Sequence, residues 1–169
     1  MRSFQAVVRA LSGAAAWLSA ALLVYMVSHI LLEIVLRNVF ATSTFVLDEF
    51  VGYGVAAMTY LTLAYALREG SLIRVNLLLI RTRGPVRQGM EVFCVLATLA
   101  LTVFLGWYFW IGLARDWQRG TTSYSIAEVP LWIPEGAVFV GLVLFGLQLF
   151  AYLVDLLAGR PPLADGNSE

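Results

Sequence analysis

Charge is scarce in this sequence. Acidic and basic residues together make up 13% of the 169 residues, about half the share a water-soluble domain carries. Lysine is missing altogether: the 11 basic residues are all arginine, 11 acids balance them, and a zero formal net charge gives no sign of a nucleic-acid partner. A single cysteine, Cys94, excludes an intramolecular disulfide. With one histidine, His29, the chain alone can build neither a zinc site nor a haem held by two histidines. No catalytic, cofactor-binding or metal-ligating set emerges. What fills the chain instead is apolar: 60% of residues are hydrophobic and the mean hydropathy is +0.82. Such a composition belongs to an integral membrane protein.

Crossing the hydrocarbon takes about 20 apolar residues as a helix, and only helices satisfy their own backbone groups within one segment. Four windows without charge meet or approach that length. Ala10 to Leu32 has 23 residues, Phe50 to Leu67 has 18, Val92 to Ala114 has 23 and Gly136 to Val154 has 19. The second extends back to Phe45 if Asp48 and Glu49 sit among the head groups. The expected fold is all-α, a four-helix membrane bundle with helices near residues 10-36, 46-68, 90-114 and 132-157. The first window outlasts the apolar core of a cleaved signal, about 7 to 15 residues, so it counts as a retained helix. The tail from residue 159 to 169, "GRPPLADGNSE" with the glycine before its first arginine, reads as a short disordered end.

Between the second and third windows stand Arg68, Glu69, Arg74, Arg81, Arg83, Arg87 and Glu91. Burying these seven at the bilayer centre would cost roughly 20 kcal/mol on insertion scales, so the stretch lies outside the hydrocarbon. Arginine in short connections marks the cytoplasmic side. That places both termini in the cytoplasm, with eight arginines on that face and Arg37, Arg115 and Arg119 opposite. Within the connection, Arg74 and Arg81 share a helical face beside an apolar stripe of Ile73, Leu77 and Ile80. Residues 71-87 therefore read as an interfacial helix with Arg81 and Arg83 at head-group level, or as an apolar loop covered by a partner. Trp107, Trp110, Trp117 and Trp132 gather at the outer ends of helices three and four as an aromatic belt.

Ionisable groups that move ions lie near the midplane, and here the middle of every window carries neither acid nor base. Glu33 and Arg37, four apart with the acid first, suit a helix-surface ion pair. Asp48 and Glu49 either complement the dipole at the start of helix two or face Arg37 across the outer turn. His29 is expected to hydrogen-bond a neighbouring helix, and Cys94 to pack as a small hydrophobe. Gly52 and Ala56 form a small-xxx-small pair that permits close helix approach.

The stretch "LAYALREGSLIRVNLLL", Leu63 to Leu79, resembles the signature of the small, Q-type membrane subunit of tripartite ATP-independent periplasmic (TRAP) transporters. Ala66, Arg68, Glu69, Gly70, Ile73, Arg74 and Val75 match, while Leu72 and Asn76 replace the family's usual histidine and aspartate. "VLRNVFATSTFVLDEF", through Arg37, Asn38, Asp48 and Glu49, is similar to the family's first outer turn. "TTSYSIAEVPLWIPEGAVFVGLVLFGLQLF" is similar to its outer loop and fourth helix, through Ser123, Pro130, Trp132, Pro134 and Gly141. The likeness spans about residues 10 to 157.

The resemblance implies a non-enzymatic companion to a large multi-spanning permease in a bacterial inner membrane. A periplasmic solute-binding protein would deliver an organic acid or related solute. Sodium would act in the large subunit, with no cofactor in this chain. Glu33, Arg37, Asp48, Glu49, Arg68, Arg74 and Trp132 are the candidate inter-helix or partner contacts. Trp107, Trp110, Trp117, Arg81 and Arg83 are the candidate lipid contacts. The rival readings are a self-contained small transporter and a membrane enzyme or redox subunit.

Overall fold

The computed structural model describes residues 2–70 and 85–158. They form four helices: α1 (Arg2–Val39), α2 (Leu47–Arg68), α3 (Pro85–Arg119) and α4 (Trp132–Leu157). All four are long and apolar enough to cross a membrane, and no described residue belongs to a strand longer than one bridge. The expected interfacial helix and C-terminal tail fall largely on residues 71–84 and 159–169, outside the described residues; residues 85–87 already belong to α3.

Two helices outrun their charge-free windows. α1 has 38 residues and α3 has 35, about 57 and 53 Å at 1.5 Å per residue, against a hydrocarbon core of about 30 Å. Charge limits where a helix can enter lipid but does not stop its hydrogen-bond ladder. Arg9 on α1 and Arg115 and Arg119 on α3 are therefore helical although they lie outside those windows.

The helices pack as a staggered row in the order α1, α2, α4, α3, in which α1 also touches α4 and the Tyr60 ring of α2 meets Phe109 of α3 at 6.2 Å. α4 touches every other helix and has the largest buried share, while α1 and α3 stand at the two ends, exposing most of their apolar surface. One cluster joins Leu67 of α2, Val95 of α3 and Phe145, Leu149, Tyr152 and Leu153 of α4. A second joins Ala15 of α1 to Ala57 and Leu61 of α2, with Ala137 and Leu144 of α4 against it. On α2, Gly54, Ala57, Leu61, Ala64 and Leu67 recur every three or four residues and so form one inward stripe.

Lipid tails are as apolar as leucine, so helices associate in membranes through close packing of small residues and interhelical hydrogen bonds. The tightest approaches lie at two glycines other than the predicted pair. A Cβ on Gly141 would fall 2.5 Å from the carbonyl carbon of Tyr60, so α4 meets the backbone of α2 there. A Cβ on Gly54 would overlap the Met26 side chain of α1. Gly52 has open space around it and makes no close approach. Cys94 is exposed on α3 rather than packed inside.

Gly141→Ala should force α4 and α2 apart and cost about 1–3 kcal/mol, the usual range for overpacking. Gly52→Ala should be neutral or stabilising by up to about 1 kcal/mol, since alanine is the better helix former. Unfolding of both variants in detergent, followed by circular dichroism, checks the pair. Equal stabilities would mean that α2 and α4 do not meet at Gly141.

Candidate functional site

The end of the row where α1 leads into α2 is organised by one carboxylate. Glu33 sits six residues before the end of α1 and is only 1% exposed. Its Oε1 accepts from Arg37 Nε at 2.8 Å and, at closer range, from the Ser43 hydroxyl. Its Oε2 accepts from the Thr44 backbone N–H at 3.0 Å and the Thr44 hydroxyl at 2.7 Å. Four donors meet both oxygens, which is the inventory an ionised carboxylate satisfies. The i, i+4 pair with Arg37 is the one expected from spacing, but Glu33 does more than pair: it reaches ten and eleven residues ahead to hold the loop.

That loop needs holding. Ala41 and Phe45 adopt positive φ angles of 50° and 58°, a left-handed conformation that costs a non-glycine residue roughly 1–2 kcal/mol each. The Thr42 N–H reaches back to the Leu36 carbonyl and the Phe45 N–H donates to the Ser43 hydroxyl, 3.2 and 3.1 Å. The charge-assisted bonds to Glu33 offset the strain.

Asp48 and Glu49 both lie in the first turn of α2, where carboxylates complement the helix dipole. Neither bridges to Arg37 among the described residues. The expected cross-turn clasp is therefore made by Glu33 through hydroxyls and an amide, while Arg37 stays 60% exposed. Asp48 is exposed. Glu49 accepts from the Tyr53 hydroxyl at 2.7 Å, and the Ser123 and Ser125 hydroxyls of the α3–α4 loop lie beside it.

The α3–α4 loop is itself tightly bonded. Gly120 leaves α3 with a φ of 60°, and Thr122 and Pro130 form an antiparallel bridge. The Ser123 N–H donates to the Val129 carbonyl at 2.9 Å and the Leu131 N–H to the Thr121 carbonyl at 3.0 Å. The Ser123 hydroxyl accepts from the Val129 N–H at 3.1 Å. Tyr124 and Ile126 project from the tip, both strongly exposed. Where the loop returns, Glu135 of α4 lies beside Asp116 of α3, with Arg115 as the nearby cation.

The tryptophans group partly with one another. Trp117 and Trp132 meet edge to face at 4.7 Å, and Trp110 tilts against Phe139 at 5.5 Å. These four rings line an apolar hollow of about 510 Å³ between α3 and α4. Trp107 is exposed away from the hollow. At the opposite end, Arg68 donates to Glu69 at 2.7 Å and to the Arg9 carbonyl at 3.2 Å, and its guanidinium stacks 4.8 Å above the Tyr65 ring. Arg74, Arg81 and Arg83 lie outside the described residues. His29 meets α2 through its ring, edge-on to Phe50 at 6.2 Å, and its buried Nδ1 has no hydrogen-bond partner among the described residues. No group of three or more His, Cys, Asp or Glu able to hold a metal occurs among them.

Glu33→Gln removes the charge and turns a donor toward the Ser43, Thr44 and Arg37 donors. Leaving such groups unmatched costs about 1–3 kcal/mol. The Thr44 amide should then exchange with solvent about tenfold to a hundredfold faster, by hydrogen-exchange mass spectrometry of residues 40–46. Arg37→Gln, at an exposed position, should change that rate by less than about fivefold. An unaltered Thr44 rate in Glu33→Gln would mean that the carboxylate does not hold the loop.

The family model for tripartite ATP-independent periplasmic transporters, DctQ component, matches residues 26–159. No individual curated protein and no solved structure matches the chain. The matched region runs from the middle of α1 to just beyond the end of α4, so it takes in the Glu33 clasp, the α3–α4 loop and the whole of α2 and α4. The chain belongs to the DctQ family, the small membrane component of tripartite ATP-independent periplasmic transporters.

Proposed function

We propose that this small subunit is a stationary companion of a large ion-coupled permease and does not itself carry the solute. One observation supports this above the others. The centres of all four helices carry no acid or base except His29, and the most buried carboxylate, Glu33, is committed to four internal donors. A coupled carrier needs an ionisable or polar site that can change its partner near the midplane. A scaffold needs only apolar faces, and α1 and α3 supply these on the flanks of the row.

In this reading the chain lies along the permease, widens its footprint in the bilayer, and steadies the static part of an elevator-like carrier. The solute is an organic acid or a related compound brought by a periplasmic binding protein, and sodium acts in the large subunit. Gln5 of α1 bonds Asp155 of α4, so both ends of the chain's helical region lie on one side of the row. The excess of arginine at that end supports a cytoplasmic placement for both termini in a bacterial inner membrane. The α3–α4 loop, with its bonded backbone, then faces the periplasm and helps dock the binding protein.

The test is purification of the tagged chain from its native membrane in mild detergent, followed by reconstitution. One large multi-spanning permease should co-purify in a fixed ratio, and proteoliposomes should take up solute only with permease and binding protein present. Uptake by this chain alone, lost in Glu33→Gln or His29→Ala, would instead establish a self-contained transporter.

A further inference from the structure

The turn between α1 and α2 is built inside out for a loop in water. Its Ser43 and Thr44 hydroxyls point inward and donate to the Glu33 carboxylate. Its aromatic rings point away: Phe40 is 66% and Phe45 72% exposed. Phe40 still follows the α1 ladder, its N–H donating to the Leu36 carbonyl at 3.1 Å. Phe45 instead reaches its outward position through a left-handed backbone, with a φ of 58°. Strain of this kind persists where the surrounding structure holds a residue in place for use.

The level of the turn along α1 bears on what lies against those rings. Arg9 and Arg37 stand on one continuous helix, about 42 Å apart at 1.5 Å per residue. A bilayer measures about 40–45 Å with its head groups, so with Arg9 in one head-group layer Arg37 falls in the other. Just before the turn, Ile30, Leu31, Leu32, Ile34 and Val35 are all exposed. At roughly 100° per residue they leave only the Glu33 side of α1 covered. A protein neighbour covers one side of a helix, whereas lipid surrounds it, so apolar side chains on every free side fit lipid. Phe40 and Phe45 continue that apolar surface past the end of the helix.

We propose that the α1–α2 turn is seated in the lipid boundary of the leaflet at this end, with the Phe40 and Phe45 rings among the upper parts of the lipid chains. Arg37, Asn38 and Thr42, all exposed, lie at head-group level, where polar side chains remain solvated. The Glu33 clasp then does more than close the turn. It supplies acceptors for the two hydroxyls and the Thr44 amide, so the loop carries fewer unmatched donors into a layer poor in water. It also fixes the backbone that turns Phe45 outward.

The full chain is made in its native membrane with photoreactive benzoylphenylalanine in place of Phe45 or, separately, of Phe40. After illumination its peptides are analysed by mass spectrometry. Both positions should carry adducts of phospholipid mass, at least fivefold more abundant than adducts joined to protein. Glu33→Gln, which releases the turn, should lower the lipid adduct at Phe45 at least threefold. The adduct at Phe40, held by the helix, should stay within twofold and shows that the variant is folded and inserted. Adducts joined mainly to a protein would place the turn beneath another subunit, and the absence of adducts would place the rings in water; either overturns the proposal. An unaltered Phe45 adduct in Glu33→Gln would overturn the part given to the clasp.

Discussion

The contact of α4 with the backbone of α2 at Gly141 is the constraint on which the rest of the arrangement depends. α4 packs against every other helix and meets α2 most extensively, so its distance from α2 sets the whole row. Water provides no force to hold these helices together inside lipid, and only a residue without a Cβ lets the α4 surface reach the Tyr60 carbonyl carbon. With that separation fixed, Leu61 meets Ala137 and Leu144 on one flank, and Leu67 meets Phe145 and Leu149 on the other. α1 then seats against α2 over Gly54, and α3 against the far side of α4.

Polar chemistry enters only where those helices end. Glu33 uses both of its oxygens on Arg37, Ser43 and Thr44, and in doing so stabilises two left-handed residues in the turn between α1 and α2. Glu49, Tyr53 and the serines of the α3–α4 loop gather at the start of α2. At the other end, Gln5 with Asp155 and Arg68 with the Arg9 carbonyl tie α1 to α4 and to α2. The apolar middle is fixed by shape and the two ends by hydrogen bonds.

Much of this was legible in the sequence because insertion energetics act on composition and length. Charge-free windows were enough to find the four helices, and the i, i+4 spacing was enough to pair Glu33 with Arg37. The remainder depended on which face of a helix meets which neighbour. Gly52 and Ala56 satisfy the small-residue pattern, yet the inward stripe of α2 runs through Gly54 and Ala57, and spacing alone cannot choose between faces two residues apart. Cys94 lies in an apolar run, but on its outward face, next to Val95, which packs inward. His29 offered a hydrogen bond by chemistry and makes a ring contact by position. The bonds from Ser43 and Thr44 to Glu33 span a helix end and a turn, a distance over which no periodicity operates. Their only trace in sequence was a pair of hydroxyl residues between two helices.

The staggered row bears on function through a simple geometric requirement. A path for a polar solute must be walled on every side by protein, because backbone and polar groups at membrane depth are tolerated only where they are buried or line a water-filled cavity. Among the described residues α1 and α3 stand apart on either side of the α2–α4 pair, so the four helices form a wall and no enclosure. α1 and α3 at its ends, with long apolar surfaces such as Trp17, Val24, Phe93 and Phe104 turned outward, extend that wall sideways. That exposed surface is the part of the chain open to lipid or to a protein neighbour.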